Sequence, residues 1–135
     1  MRIFIVSALL VACLANIPLE QYQTGESCEK SAKFNITSVT IDPFPPGNSD
    51  QYTVVMTGTF LSKETVEQIY IGQRKNKEKW HYTYQTINKE YPKGTTETYT
   101  ISLQAPAIKG PYTDQITLHK SDFTTLSCWQ YNYVI

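Results

Sequence analysis

Residues 110–135, GPYTDQITLHKSDFTTLSCWQYNYVI, alternate in side-chain character with a period of two for almost their whole length. Tyr112, Ile116 and Leu118 fall on one face of an extended chain, and Thr113, Gln115, Thr117 and His119 on the other. Asp114 interrupts the apolar face. Trp129, Tyr131, Tyr133 and Ile135 then alternate with Gln130 and Asn132, and the polar run Lys120 to Thr125 supplies a turn between the two segments. The stretch therefore predicts an antiparallel hairpin whose inner face is aromatic. Such a face has to be covered by a second layer, and its tyrosine and tryptophan polar atoms need partners or a wet edge.

The rest of the chain reads as the strands of that second layer and of the hairpin's own sheet. Phe34 to Ile41 is a short β-branched run, ended by Asp42-Pro43-Phe44-Pro45-Pro46-Gly47-Asn48, which no central strand could contain because proline removes ladder donors. Gln51 to Leu61 places Tyr52, Val54, Met56, Gly58 and Phe60 on one face, with Gly58 leaving room there. Val66 to Gly72 carries Ile69 and Ile71 on the face opposite Tyr70, a charged tip runs from Gln73 to Lys79, and Trp80 to Thr86 returns as a strand. Asn88 to Thr96 is a turn region, and Glu97 to Leu103 puts Tyr99, Ile101 and Leu103 on one face. No segment sustains a helical period. About seven short strands with regularly spaced turns predict an all-β, immunoglobulin-like antiparallel sandwich.

The 135 residues show no break in composition and support one folded domain. Residues 1–15, MRIFIVSALLVACLA, have the short positive start, apolar run and small final residue of a secretory signal, and are too short to span a bilayer. Residues 16–27 read as a flexible lead-in and residues 28–135 as the sandwich. Of the 12 basic residues Arg2 leaves with the signal, so 11 face 12 acidic ones, a balance that argues against nucleic acid as a partner. Cys13 has two readings: an apolar residue of the signal, or the lipidated cysteine of a bacterial lipobox in Leu10-Val11-Ala12-Cys13. Cys28 and Cys128 remain. In an oxidising compartment they pair, closing a loop of about 100 residues and stabilising the fold by roughly 4 to 5 kcal/mol in the chain-entropy account; in a reducing one they are free thiols. Asn35-Ile36-Thr37 is an N-glycosylation sequon, which places Asn35 on an outward face if it is used.

Catalytic and metal-binding patterns are weak. His81 and His119 are the two histidines, and neither has a Cys, Asp or Glu at a zinc-site spacing. His119, Ser121 and Asp122 contain the residue types of a hydrolase triad, but they crowd one turn without a nucleophile elbow. No phosphate-binding glycine loop occurs, and no cofactor is implied. Arg74, Lys75, Lys77 and Lys79 cluster at a hairpin tip and read either as a contact for an anionic headgroup or membrane surface, or as a solvated tip.

Several features taken in order resemble one family. A signal peptide is followed by a cysteine just before the first strand and by the turn Asp42-Pro43-Phe44-Pro45-Pro46-Gly47. Then come the strand ending Thr57-Gly58-Thr59-Phe60, the segment Gly110-Pro111-Tyr112, and a last strand opening Ser127-Cys128-Trp129. From Cys28 to Ile135 this set is similar to the ML, or MD-2-related lipid-recognition, proteins. These include sterol-binding lysosomal proteins, phosphatidylglycerol/phosphatidylinositol transfer proteins and group 2 mite allergens.

The resemblance implies two slightly splayed sheets with a lipid or sterol between them, carried or presented without covalent chemistry, in a secreted protein or in an endosomal, lysosomal or vacuolar lumen. It implies a lining of Tyr52, Val54, Met56, Phe60, Ile69, Ile71, Tyr99, Ile101, Leu103, Tyr112, Ile116, Leu118, Trp129, Tyr131 and Tyr133, and a bond between Cys28 and Cys128. A protein receptor is a further partner under the presentation reading. Most members carry additional disulfides that this chain lacks, so the geometry of the cavity mouth does not transfer. By pattern alone the same inward residues close-pack as in any sandwich core. The alternative function is accordingly an immunoglobulin-like extracellular interaction module with a filled core.

Overall fold

The structure is a computed structural model that describes residues 24–135. The expected signal peptide, Cys13 within it, and lead-in residues 16–23 lie outside the described residues. Eight strands follow in order: β1 (Glu26–Ser27), β2 (Phe34–Asp42), β3 (Gln51–Phe60), β4 (Glu64–Lys75), β5 (His81–Tyr91), β6 (Thr96–Gln104), β7 (Pro111–His119) and β8 (Thr125–Val134). They form a five-stranded sheet, β1-β8-β7-β4-β5, and a three-stranded sheet, β2-β3-β6. Every pairing is antiparallel. This is the predicted immunoglobulin-like sandwich, with no helix among the described residues.

The hairpin of the opening stretch is β7–β8, paired from Pro111↔Val134 to His119↔Thr125. Alternation builds each strand for the reason given: in β3 the side chains of Tyr52, Val54, Met56 and Phe60 are buried while the threonines between them are half exposed. Inward faces thus meet across the sandwich and outward faces stay polar.

Three boundaries differ from the expectations. The two-residue β1 falls inside the expected lead-in, held against β8 by the pairs Glu26↔Gln130 and Ser27↔Trp129. β4 extends to Lys75, so Arg74 and Lys75 belong to a strand rather than to the tip. β5 runs on to Tyr91 because Asn88 takes a positive φ of 49° at the point where the β4–β5 register slips opposite Val66/Gln68. The bulge absorbs the turn-forming asparagine and the strand continues past it.

Cys28 and Cys128 form the expected disulfide, linking residues 100 apart in sequence. The Cys28 amide also donates to the Cys128 carbonyl at 2.9 Å, so the start of the described chain is fixed to its last strand both covalently and by the ladder.

Candidate functional site

The inward residues divide the space between the sheets into three zones. In the middle, Val54 and Met56 of β3 and Ile101 of β6 face Ile69 and Ile71 of β4 and Ile116 and Leu118 of β7. Each is buried, and together with Val39 they make an apolar slab. Leu103 is half-buried at the slab's β6 margin. Fully burying each such side chain is worth roughly 1.5 to 3 kcal/mol, so the slab contributes substantially to cohesion between the sheets.

One end of the slab is polar. Asp114 is fully buried on β7, and three tyrosine hydroxyls converge on it. Tyr52 and Tyr131 donate to Oδ2, Tyr131 at 3.2 Å, and Tyr133 donates to Oδ1 at 3.0 Å. Gln73 donates to the Tyr133 hydroxyl at 3.1 Å from the rim. Tyr52 belongs to the three-stranded sheet and the others to the five-stranded one, so the cluster ties the two sheets together. Burial pushes the Asp114 carboxyl above the ordinary carboxylate range, while hydrogen bonds from Tyr52, Tyr133, Gln73 and Tyr131 pull it partly back. Burial and the neighbouring carboxylate push the Tyr131 hydroxyl well up, which keeps it a donor. Tyr112 stacks on Tyr133 at 5.8 Å and donates to the Ile108 carbonyl at 2.7 Å.

The other end is built of rings. Phe60 stacks on Tyr91 at 4.4 Å, Phe34 lies 4.7 Å from Phe60, and Tyr99 meets Phe34 edge-on at 5.8 Å. The room left by Gly58 is taken by the Phe34 ring: a Cβ there would stand 2.6 Å from Phe34 Cζ. Strand glycines commonly mark this kind of close approach. Trp129 is half-buried against the core at its β1 edge, with its Nε1 donating to the Thr24 carbonyl at 2.8 Å.

A surface recess borders the sandwich on the side where β5 and β6 are both edge strands. A cavity of about 310 Å³ lies there between Ile71, Thr83, Leu103 and Gln104. A second, of about 340 Å³, shares Gln73 and His81 with it and extends to Lys75, Lys79, Ile108 and Tyr112. Lys79 is exposed at the tip, as is Lys77. Arg74 instead lies on the outer face of the five-stranded sheet, its guanidinium 4.6 Å from the centre of the Trp80 ring.

The fifteen residues expected to line a lipid site thus all sit inward, but in different company: eight in the slab, Phe60 and Tyr99 in the ring-built end, Tyr52, Tyr112, Tyr131 and Tyr133 around Asp114 or the neighbouring carbonyl, and Trp129 at the margin. Sequence reasoning omitted Phe34, Val39, Ile41, Val66, Tyr91 and Leu126, all buried in the same core. Val39 and Ile41 carry the same alternation in β2, whereas Phe34, Val66, Tyr91 and Leu126 lie at or beyond register shifts that break it. It also noted Asp114 as a break without pairing it to the tyrosines at matching inward positions. Asn35 is exposed, as a usable sequon requires. His81 is exposed, whereas His119 is half-buried with both ring nitrogens engaged, Nε2 with the Thr117 hydroxyl at 2.8 Å and Nδ1 with the Phe123 carbonyl at 3.1 Å. Among the described residues no group of three or more His, Cys, Asp or Glu could hold a metal ion.

No protein-family model matches this sequence, and no curated protein matches it. A solved structure does: that of a Niemann-Pick type C2 protein from Japanese carpenter ant is similar to it with a TM-score of 0.63 over 83% of this chain and 98% of that one, at 10% sequence identity. Identity that low speaks for the fold. This chain has the two-sheet sandwich of a Niemann-Pick type C2 protein, the architecture that the resemblance to the ML proteins implied.

Proposed function

We propose that this protein binds one lipid or sterol molecule between its two sheets and carries or presents it, without covalent chemistry, in a secreted or lumenal setting. The observation that carries this reading is the β5/β6 side of the sandwich, where a surface cavity reaches Ile71 and Leu103 at the margin of the apolar slab. Apolar ligand sites combine such surfaces with a few placed polar groups, and Gln73, Thr83 and Gln104 supply them at the mouth. Each CH₂ group transferred into the slab contributes about 0.8 kcal/mol of affinity, and admission requires the β5 and β6 edges to part. Lys75 and Lys79 at the adjoining cavity would hold an anionic headgroup or rest on a membrane surface during transfer, with Lys77 and Arg74 beside them.

The filled-core interaction module is the second reading, favoured by the close ring packing at the Phe60 end. Native mass spectrometry of protein purified from its source, with lipid extraction, separates the two. Lipid binding predicts a stoichiometric extractable lipid whose occupancy falls in Leu103→Trp, where the added ring narrows the mouth without entering the fully buried core. A bare polypeptide mass that also acquires no lipid from phosphatidylcholine/cholesterol vesicles would establish the filled core instead.

A further inference from the structure

The largest cavity described lies on the opposite surface from the slab. It is a groove of about 660 Å³ on the outer face of the five-stranded sheet, running from Tyr82 and Tyr84 of β5 past Tyr70, Gln115 and Thr117 to Glu29 beside the disulfide. The register makes these neighbours: Tyr70 pairs with Tyr84 on one side and Thr117 on the other, and Gly72 pairs with Tyr82 and Gln115. The volume falls within the roughly 300 to 1,000 Å³ of small-molecule sites.

The groove's wall is constructed from rings at some cost. Gly72 interrupts β4 where a side chain would strengthen the strand, and a Cβ there would stand 2.8 Å from Tyr82 Cε1 and 3.1 Å from Trp80 Cε3. The missing side chain lets both rings lie down on the sheet. Trp80 is stacked with Tyr82 at 6.2 Å and held from its own side by Arg74 at 4.6 Å. Tyr70 is held between Tyr84 at 5.1 Å and His119 at 4.5 Å, and His119 is fixed through both nitrogens. Yet Tyr82 and Tyr84 remain 52% and 63% exposed. Rings this well braced and this open present their faces to a ligand without further loss of side-chain freedom.

We propose that this groove binds a neutral carbohydrate, stacked on Tyr82 and Tyr84. The chemistry of the lining selects the class. Ring faces suit the C–H faces of pyranose rings, and beyond them stand the Glu29 carboxylate and the Gln115 amide and Thr117 hydroxyl, which are bonded to Gln130 and His119 but keep a donor and a lone pair for sugar hydroxyls. No lysine or arginine lines the groove, which disfavours phosphates and acidic sugars. An open groove with this much polar lining is equally unsuited to an acyl chain, so the site is separate from the inter-sheet one.

The test is titration of the ¹⁵N-labelled protein with soluble oligomers of β-1,4-glucose, β-1,3-glucose, mannose and N-acetylglucosamine. At least one is expected to shift the Gln115, Thr117 and Tyr84 amides in a saturable way, with Tyr84→Ala weakening the affinity about tenfold or more. Tyr84 is exposed, so this variant should keep the wild-type urea midpoint and lipid uptake, while Leu103→Trp should lose lipid and keep sugar. No shift with any oligomer at millimolar concentration would overturn the proposal. So would sugar binding that survives Tyr82→Ala/Tyr84→Ala, or a concentration-dependent dimer abolished by Tyr84→Ala, which would identify the groove as a protein contact.

Discussion

The two ends of the inter-sheet space use the same residue type in opposite ways. At the end formed by the starts of β3 and β7, Tyr52, Tyr131 and Tyr133 are placed by their hydroxyls, which converge on Asp114. At the other end Tyr91 and Tyr99 are placed by their rings, packed against Phe34 and Phe60. The first arrangement is directional and joins the sheets through a few bonds of fixed geometry. The second depends on area and density, and it tolerates small displacements. A sandwich that must part its edges to admit a ligand needs one end that holds register and another, or a margin, that can yield. Under the proposed lipid-binding reading, the Asp114 cluster holds the sheets in register and the edge beside Leu103 is the part that would give way.

The comparison can be broken most severely at the ring-built end. Phe60→Ala removes a fully buried ring with two aromatic neighbours and should cost about 3 to 5 kcal/mol in urea unfolding. A loss below that range would mean the end collapses around the void and is less densely built than described. Tyr52→Phe deletes only the hydroxyl that crosses between the sheets and should cost about 1 to 3 kcal/mol. Should it cost as much as Phe60→Ala, the polar end would be the main source of stability as well as of register.

The smallest effect is the sharpest. Burial raises the Asp114 carboxyl above its ordinary value of 3.8, so the folded protein holds that proton to higher pH than the unfolded chain does. Relative to Asp114→Asn, the stability of the wild type is therefore greatest below pH 3.8 and declines as pH rises through the raised value. Urea midpoints measured across that window for both proteins should converge or cross from one side to the other. Parallel profiles would show that the tyrosine donors fully offset the burial.

How much of this was legible beforehand varied with the physics involved. Alternation is local, so the inward faces of β3, β6, β7 and β8 could be read residue by residue, and the sandwich followed. The disulfide was readable because two cysteines remain outside the expected signal. The Asp114 cluster was not, because its meaning depends on pairing across strands and sheets: Asp114 opposite Tyr131, with Tyr52 arriving from the facing sheet. For the same reason Gly72 looked like the end of a strand. Its role appears only when Trp80 and Tyr82, across the turn, lie over it. The slip at Asn88 was hidden too, since a turn-forming residue inside a bulge has the same sequence signal as a turn.

The bond between Cys28 and Cys128 also sets a schedule. During synthesis at about 5 to 20 residues per second, the second thiol follows the first by roughly 5 to 20 s, a delay fixed by their separation of 100 residues. Until then β1 has no neighbour and β7 has an open flank, because β8 completes both. Until β8 is made, the nascent chain therefore leaves β1 unpaired and one flank of β7 open, with the Cys28 thiol still without its partner. Its yield in a cell should depend on the chaperones and oxidoreductases it meets during that wait.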